Sequence, residues 1–138
     1  MLQTSALVKI RTRAQALIEF AAALPVFVLI LVGVVEFGRM VYTKHILDKA
    51  TREGVRAGIV EVDPDDAVAT AETVCRNVLA SLNITNPKYV GAQVLKVNNA
   101  DAVTLTATQT FQSFFSQGMF SIIPAVDLTS SATMRKEG

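Results

Sequence analysis

The sequence predicts an α+β protein held in a membrane: a long amino-terminal transmembrane helix continuing into an extracytoplasmic stem, one packed helix and about three antiparallel strands. Three observations carry this reading. An uncharged apolar run, FAAALPVFVLILVGVV, covers Phe20 to Val35. Apolar residues then recur at three- and four-residue steps as far as Leu82. From Lys88 onward the period falls to two.

Composition narrows the function classes first. The chain has 138 residues, 51% apolar and 18% charged, with 13 Lys and Arg against 12 Asp and Glu. That is the length of one domain. The near-neutral balance argues against a nucleic-acid partner, because phosphate affinity needs clustered Lys and Arg. A single cysteine, Cys75, excludes an internal disulfide framework and a Cys-based metal cage. With one histidine, His45, thirty positions from it, a Ser-His-Asp or Cys-His nucleophile is not expected, and a zinc site would have to be mostly carboxylate. A protein without catalytic residues, metal or cofactor is expected.

The apolar run alone spans ~24 Å as a helix, short of a ~30 Å hydrocarbon core. Extended back to Ala14 it reaches roughly 33 Å, which fits a bilayer and encloses Glu19 near one edge. A carboxylate there is either interfacial or functional. Lys9, Arg11 and Arg13 precede the run as in a secretory signal. The run is long for a signal, however, and leads into Val34, Val35 and Glu36 rather than a small-x-small cleavage site, so a retained anchor is expected. Arg39, Lys44 and Lys49 follow it, but the first basic block is free of acids and carries the amine, which places the amino terminus in the cytoplasm. Pro25 removes the bond to the Ala21 carbonyl, so a local kink or weak spot of the kind tolerated in membranes is expected.

Helical periodicity continues from Glu36 to Val60 without proline, through Phe37, Met40, Val41, Leu47, Ala50, Gly54 and Gly58. Ala50, Gly54 and Gly58 form a small-residue stripe where another backbone can come close. Packing against the protein's own sheet is the expected use, with packing against another subunit as the alternative. Lys49, Arg52, Glu53 and Arg56 then form a solvated face.

Asp63 as N-cap, Pro64 in the first position and Asp65 and Asp66 in the first turn signal a new helix. The same acids raise a calcium alternative, without the glycine and regular oxygen spacing of a known loop. The helix runs to about Leu82 and places Cys75 on its apolar face, as a small core residue. Asn83, Asn86 and Pro87 close it. Tyr89 to Val97, a turn over Asn98, Asn99, Ala100 and Asp101, and Val103, Leu105 and Ala107 alternating with threonines spell a hairpin with the threonines outside. The aromatic connection from Phe111 to Pro124 either tucks over the sheet or offers a contact surface. A last strand covers Val126 to Met134.

The stretch RAQALIEFAAALPVFVLILVGVVEFGR (Arg13 to Arg39), with ATREGVRAG (Ala50 to Gly58) and a terminal LTSSATMRKE (Leu128 to Glu137), resembles the TadE and TadG-like family of pseudopilins. The resemblance implies a minor pilin-like subunit of the tight-adherence, or Flp, branch of type IV pilus machinery. It implies residues 1–14 as a basic leader, 15–38 as the membrane helix and 39–138 as the extracytoplasmic domain. A membrane prepilin peptidase would cut between Ala14 and Gln15, leaving Glu19 fifth and Phe20 sixth in the mature chain; Ala14 stands where the family usually has Gly. A carboxylate in hydrocarbon becomes acceptable when paired with the new amine of a neighbour, so Glu19 would select subunit register.

The partners implied are the peptidase, other pseudopilins, the major Flp pilin, the inner-membrane assembly platform and membrane lipid, with no nucleic acid. The location implied is the inner membrane, with the carboxy-terminal domain outside the cytoplasm. The alternative from another class is an unprocessed single-pass sensor or adhesin with a ligand-binding outer domain.

Overall fold

The computed structural model describes residues 3–97, 100–113 and 124–136, with side chains placed for 15–96, 100–113 and 124–136. The elements in order are α1 (Gln3–Gly58), α2 (Pro64–Ser81), β1 (Tyr89–Val97), β2 (Ala100–Phe111) and β3 (Val126–Arg135). This is the α+β class the sequence predicts. The chain divides into two compact units, residues 1–38 and 39–138.

The first unit is the amino-terminal part of α1. Its helix continues through Pro25 without interruption. Loss of one N–H there leaves the remaining ladder to hold the helix. In the second unit α1 runs on as a stem, residues 39–58, and ends two residues before the expected Val60. Ile59 N–H donates to Val55 O at 3.0 Å and Glu61 N–H to Gly58 O at 3.2 Å, which closes the last turn.

The start of α2 follows from its sequence. Asp63 has extended backbone angles (φ −81°, ψ 130°), and its carboxylate accepts from the Asp65 N–H at 2.9 Å. Pro64 occupies the first turn, where no N–H is needed, and Asp65 and Asp66 complement the helix dipole. The end is a Schellman arrangement: Asn83 takes φ 71°, its N–H donates to Ala80 O at 3.1 Å, and the Ile84 N–H donates to Leu79 O at 2.9 Å. Asn tolerates that left-handed conformation better than a branched residue would.

The strands form one antiparallel sheet in the order β1-β2-β3. The strands reach further than the sequence reading: Val97 pairs with Ala100 and Lys96 with Asp101, so Ala100 and Asp101 belong to β2, and the expected turn residues 98–99 lie outside the described residues. β3 extends one residue further, to Arg135. The connection expected between Phe111 and Pro124 falls mostly on residues 114–123, also outside the described residues; Phe111 itself is buried at the end of β2.

One face of the sheet meets the helices. Leu47, Ala50 and Val55 of the stem, Ala67, Ala71, Cys75 and Leu79 of α2, and Val90, Val103, Leu105 and Ala107 of the sheet make the core. Burying a side chain such as Leu47, Leu79 or Leu105 contributes roughly 1.5–3 kcal/mol. The other face is hydroxyl-rich, with cross-strand hydrogen bonds between Thr104 and Thr133 (2.9 Å) and between Thr108 and Thr129 (3.1 Å).

Candidate functional site

The first unit is defined by what it leaves uncovered. From Gln15 onward α1 contains a stretch long and apolar enough to cross a membrane, and none of its apolar window is buried within the protein. Phe20 is 67% and Ile30 59% exposed, and large apolar side chains occur on every side of the helix. Such a surface needs lipid or other apolar helices around it.

Glu19 and Phe20 lie within this exposed stretch. Gln15 is one turn earlier, and its Nε2 donates to Glu19 Oε1 at 3.3 Å. Ala14 and Gln15 are consecutive residues of the continuous helix. The arrangement therefore offers one carboxylate in an apolar surface, with a neutral amide one turn away. A cation is the natural complement of such a carboxylate in a low-dielectric setting.

In the second unit the small-residue stripe packs on α2 more than on the sheet, which corrects the expectation. A Cβ added to Gly54 would lie 2.6 Å from Leu105 Cδ2, 2.7 Å from Ala71 O and 3.1 Å from Cys75 Cβ. One added to Gly58 would lie 2.6 Å from Ala67 O and 2.9 Å from Ala71 Cβ. Ala50 is fully buried in the same core. The stripe is thus occupied by the protein's own second helix, with β2 contributing Leu105. Lys49, Arg52, Glu53 and Arg56 are exposed on the opposite side.

A polar tie between the stem and β3 was not legible from spacing. Thr51 is fully buried and donates to Leu47 O at 3.0 Å, and its hydroxyl lies 3.1 Å from Ser130 Oγ. Ser130 Oγ donates to Asp48 Oδ1 at 2.5 Å. Lys44 Nζ donates to Asp48 Oδ1 and to Thr129 O, each at 2.7 Å. Partial burial pushes the Asp48 carboxyl upward, but hydrogen bonds from Lys44 and Ser130 and the charges of Lys44 and Arg52 outweigh it, so its pKa is lowered. The Lys44 and Asp48 spacing of four was a visible signal; Ser130, far along the chain, was not.

Among the described residues no group of three or more His, Cys, Asp or Glu is placed to hold a metal ion. Within the run 61–66 raised for calcium, Asp63 accepts the Asp65 N–H through Oδ1 as the α2 cap. Burial pushes the Cys75 thiol up to about 11. Arg39 lies over the Phe111 ring, 5.6 Å from its centroid.

Comparison with known proteins bears out the resemblance over the amino-terminal part of the chain. The family model described as TadE-like protein matches residues 14–56. The match includes Glu19, Phe20, Ala50 and Gly54 and ends before Gly58 and the terminal LTSSATMRKE stretch. No curated protein and no solved structure matches the chain.

Proposed function

We propose that this protein is a minor pseudopilin of a tight-adherence (Flp) type IV pilus system, processed by a membrane prepilin peptidase and needed for pilus initiation and assembly, and through the pilus for adhesion and surface colonisation. The observation that carries the reading is the TadE-like match over residues 14–56, which contains Glu19 and Phe20 within an apolar helix surface that nothing among the described residues covers.

Before processing, the helix is stored across the inner membrane with its amino terminus in the cytoplasm and residues 39–138 on the far side. Cleavage between Ala14 and Gln15 removes the basic leader and creates an amine at Gln15. In an assembling bundle that amine meets Glu19 of a neighbour, so a carboxylate that is costly in hydrocarbon becomes the feature that sets register. The apolar surface serves in lipid and among other apolar helices alike. The role is structural, not enzymatic. Its partners are the peptidase, sibling pseudopilins, the major Flp pilin, the assembly platform and lipid.

Intact mass and amino-terminal sequencing of the protein from membranes with and without the peptidase test this. A chain beginning at Gln15 only when the peptidase is present is the expected result. A chain beginning at Met1 in both membranes would overturn processing and favour the anchored sensor or adhesin.

A further inference from the structure

Cleavage before Gln15 would give one nitrogen two competing fates. In the uncut chain that nitrogen belongs to the amide joining Ala14 to Gln15, and delocalisation into the carbonyl removes its nucleophilicity. At the start of a chain the same nitrogen is an α-amine. With an ordinary pKa of ~7.7–8.0, roughly a tenth of unpaired α-amines are neutral and nucleophilic at pH 7. Gln15 also carries its own electrophile, because its side-chain Cδ can close a five-membered ring on the nitrogen of the same residue.

The structure puts a proton carrier beside the atom that must leave. Gln15 Nε2 donates to Glu19 Oε1 at 3.3 Å, and both residues are exposed. From Gln15 to Val35 no other side chain can exchange a proton near neutral pH: Asp, His, Cys, Tyr, Lys and Arg are all missing, as are Ser and Thr. Proton transfer at the new chain start therefore falls to Glu19 or to water.

We propose that Gln15, as the first residue of the processed chain, is a cyclisation site, and that Glu19 carries the proton the reaction must move. The neutral amine attacks Cδ; the N–Cδ bond forms and the Cδ–Nε2 bond breaks. Glu19 takes one proton from the attacking nitrogen and delivers it to Nε2, which departs as ammonia. Glu19 ends as it began, and no oxidant, reductant or second substrate enters. The product is a pyroglutamyl chain start, which is neutral and has no amine to offer a carboxylate.

Cyclisation rests on the processing proposed above, and it sets a time limit on assembly. An amine held against the carboxylate of a neighbour stays protonated, since an opposite charge close by favours the charged form, and a protonated amine does not attack. Pairing thus protects the cation that sets register, whereas a subunit left waiting loses it irreversibly. Glu19 serves on both sides of that competition: it accepts a neighbour's amine in the bundle and helps to retire the amine of its own chain in isolation.

The test uses the full chain, purified from cells that contain the peptidase and kept dispersed in uncharged detergent at about pH 8, where most unpaired α-amines are neutral or close to it. Samples are taken over days, and free amines are capped by reductive methylation at each time so that later handling adds nothing. Mass spectrometry then reads the tryptic peptide from Gln15 to Arg39. The expected result is a steadily growing share of this peptide lighter by one ammonia, growing several-fold more slowly in Glu19→Gln. Gln15→Ala should keep its amine throughout. A cyclised start is blocked to stepwise sequencing, so mass decides. A chain that begins at Gln15 and keeps its amine, or equal rates with and without the Glu19 carboxylate, would overturn the proposal and leave the processing standing. A chain still beginning at Met1 would overturn the processing, and cyclisation with it.

Discussion

Residues 17–35 and residues 46–58 belong to one helix and are both rich in apolar side chains, yet their surroundings are opposite. In the first stretch Phe20 and Ile30 stand open, and no polar face exists on which water could act. In the second, Leu47, Ala50 and Val55 are fully buried while Lys49, Arg52, Glu53 and Arg56 face outward. The difference shows that the helix period alone does not separate a membrane helix from a core helix. The presence or absence of a charged stripe opposite the apolar one does.

The largest effect expected from breaking this contrast lies at Glu19, the one charge in the open apolar stretch between Gln15 and Val35. Glu19→Ala should abolish piliation, counted by electron microscopy, and leave the thermal unfolding of residues 39–138 unchanged. Wild-type pilus numbers would remove Glu19 from assembly. A matched pair of truncations sharpens the comparison next. Leu47→Ala opens a cavity in the core and should destabilise the domain by about 2–5 kcal/mol. Leu29→Ala, in the uncovered stretch, should leave its unfolding midpoint where it is. Hydrogen exchange on the full chain in detergent reads both.

Gly54→Ala should cost less, about 1–3 kcal/mol, because the new methyl meets the Ala71 carbonyl as well as the movable end of Leu105. The gain in helix propensity, ~1 kcal/mol, offsets part of this. The smallest effect is the pH dependence from Asp48. Its carboxyl titrates below its ordinary value, so the tie to Lys44 and Ser130 contributes fully above the usual carboxylate pKa, ~3.9, and is lost as pH falls through the lowered one. Acid titration of β3 amide protection should show that limb, and Asp48→Asn should flatten it.

Much of the fold was readable because its signals are local. The α2 cap rests on Asp63 to Asp66, the hairpin on alternation from Tyr89 to Thr110, and the stretch long and apolar enough to cross a membrane on an unbroken run. The position of the small-residue stripe was readable for the same reason. Its partner was not, since the spacing of Ala50, Gly54 and Gly58 fits α2 and a sheet equally well. Thr51 reads as a polar interruption of the stem, and only Ser130, 79 positions away, explains its burial. Glu72 and Arg76 read as an ordinary charged pair on a helix until β1 is placed beside them, where Glu72 accepts from the Ala92 N–H and Arg76 donates to Val90 O. In the candidate site, Glu19 stood out by its charge alone, while the proposal of a cut before Gln15 rests on family resemblance and not on any property of residues 14 and 15.

Cys75 gives the molecule a built-in clock. Its side chain is sealed beneath Gly54, and with a pKa of about 11 only about one thiol in ten thousand is ionised at neutral pH. An alkylating reagent added to the intact protein can therefore react only when α2 lifts away from the stem. The rate at which the label accumulates reports how often the domain opens, one molecule at a time.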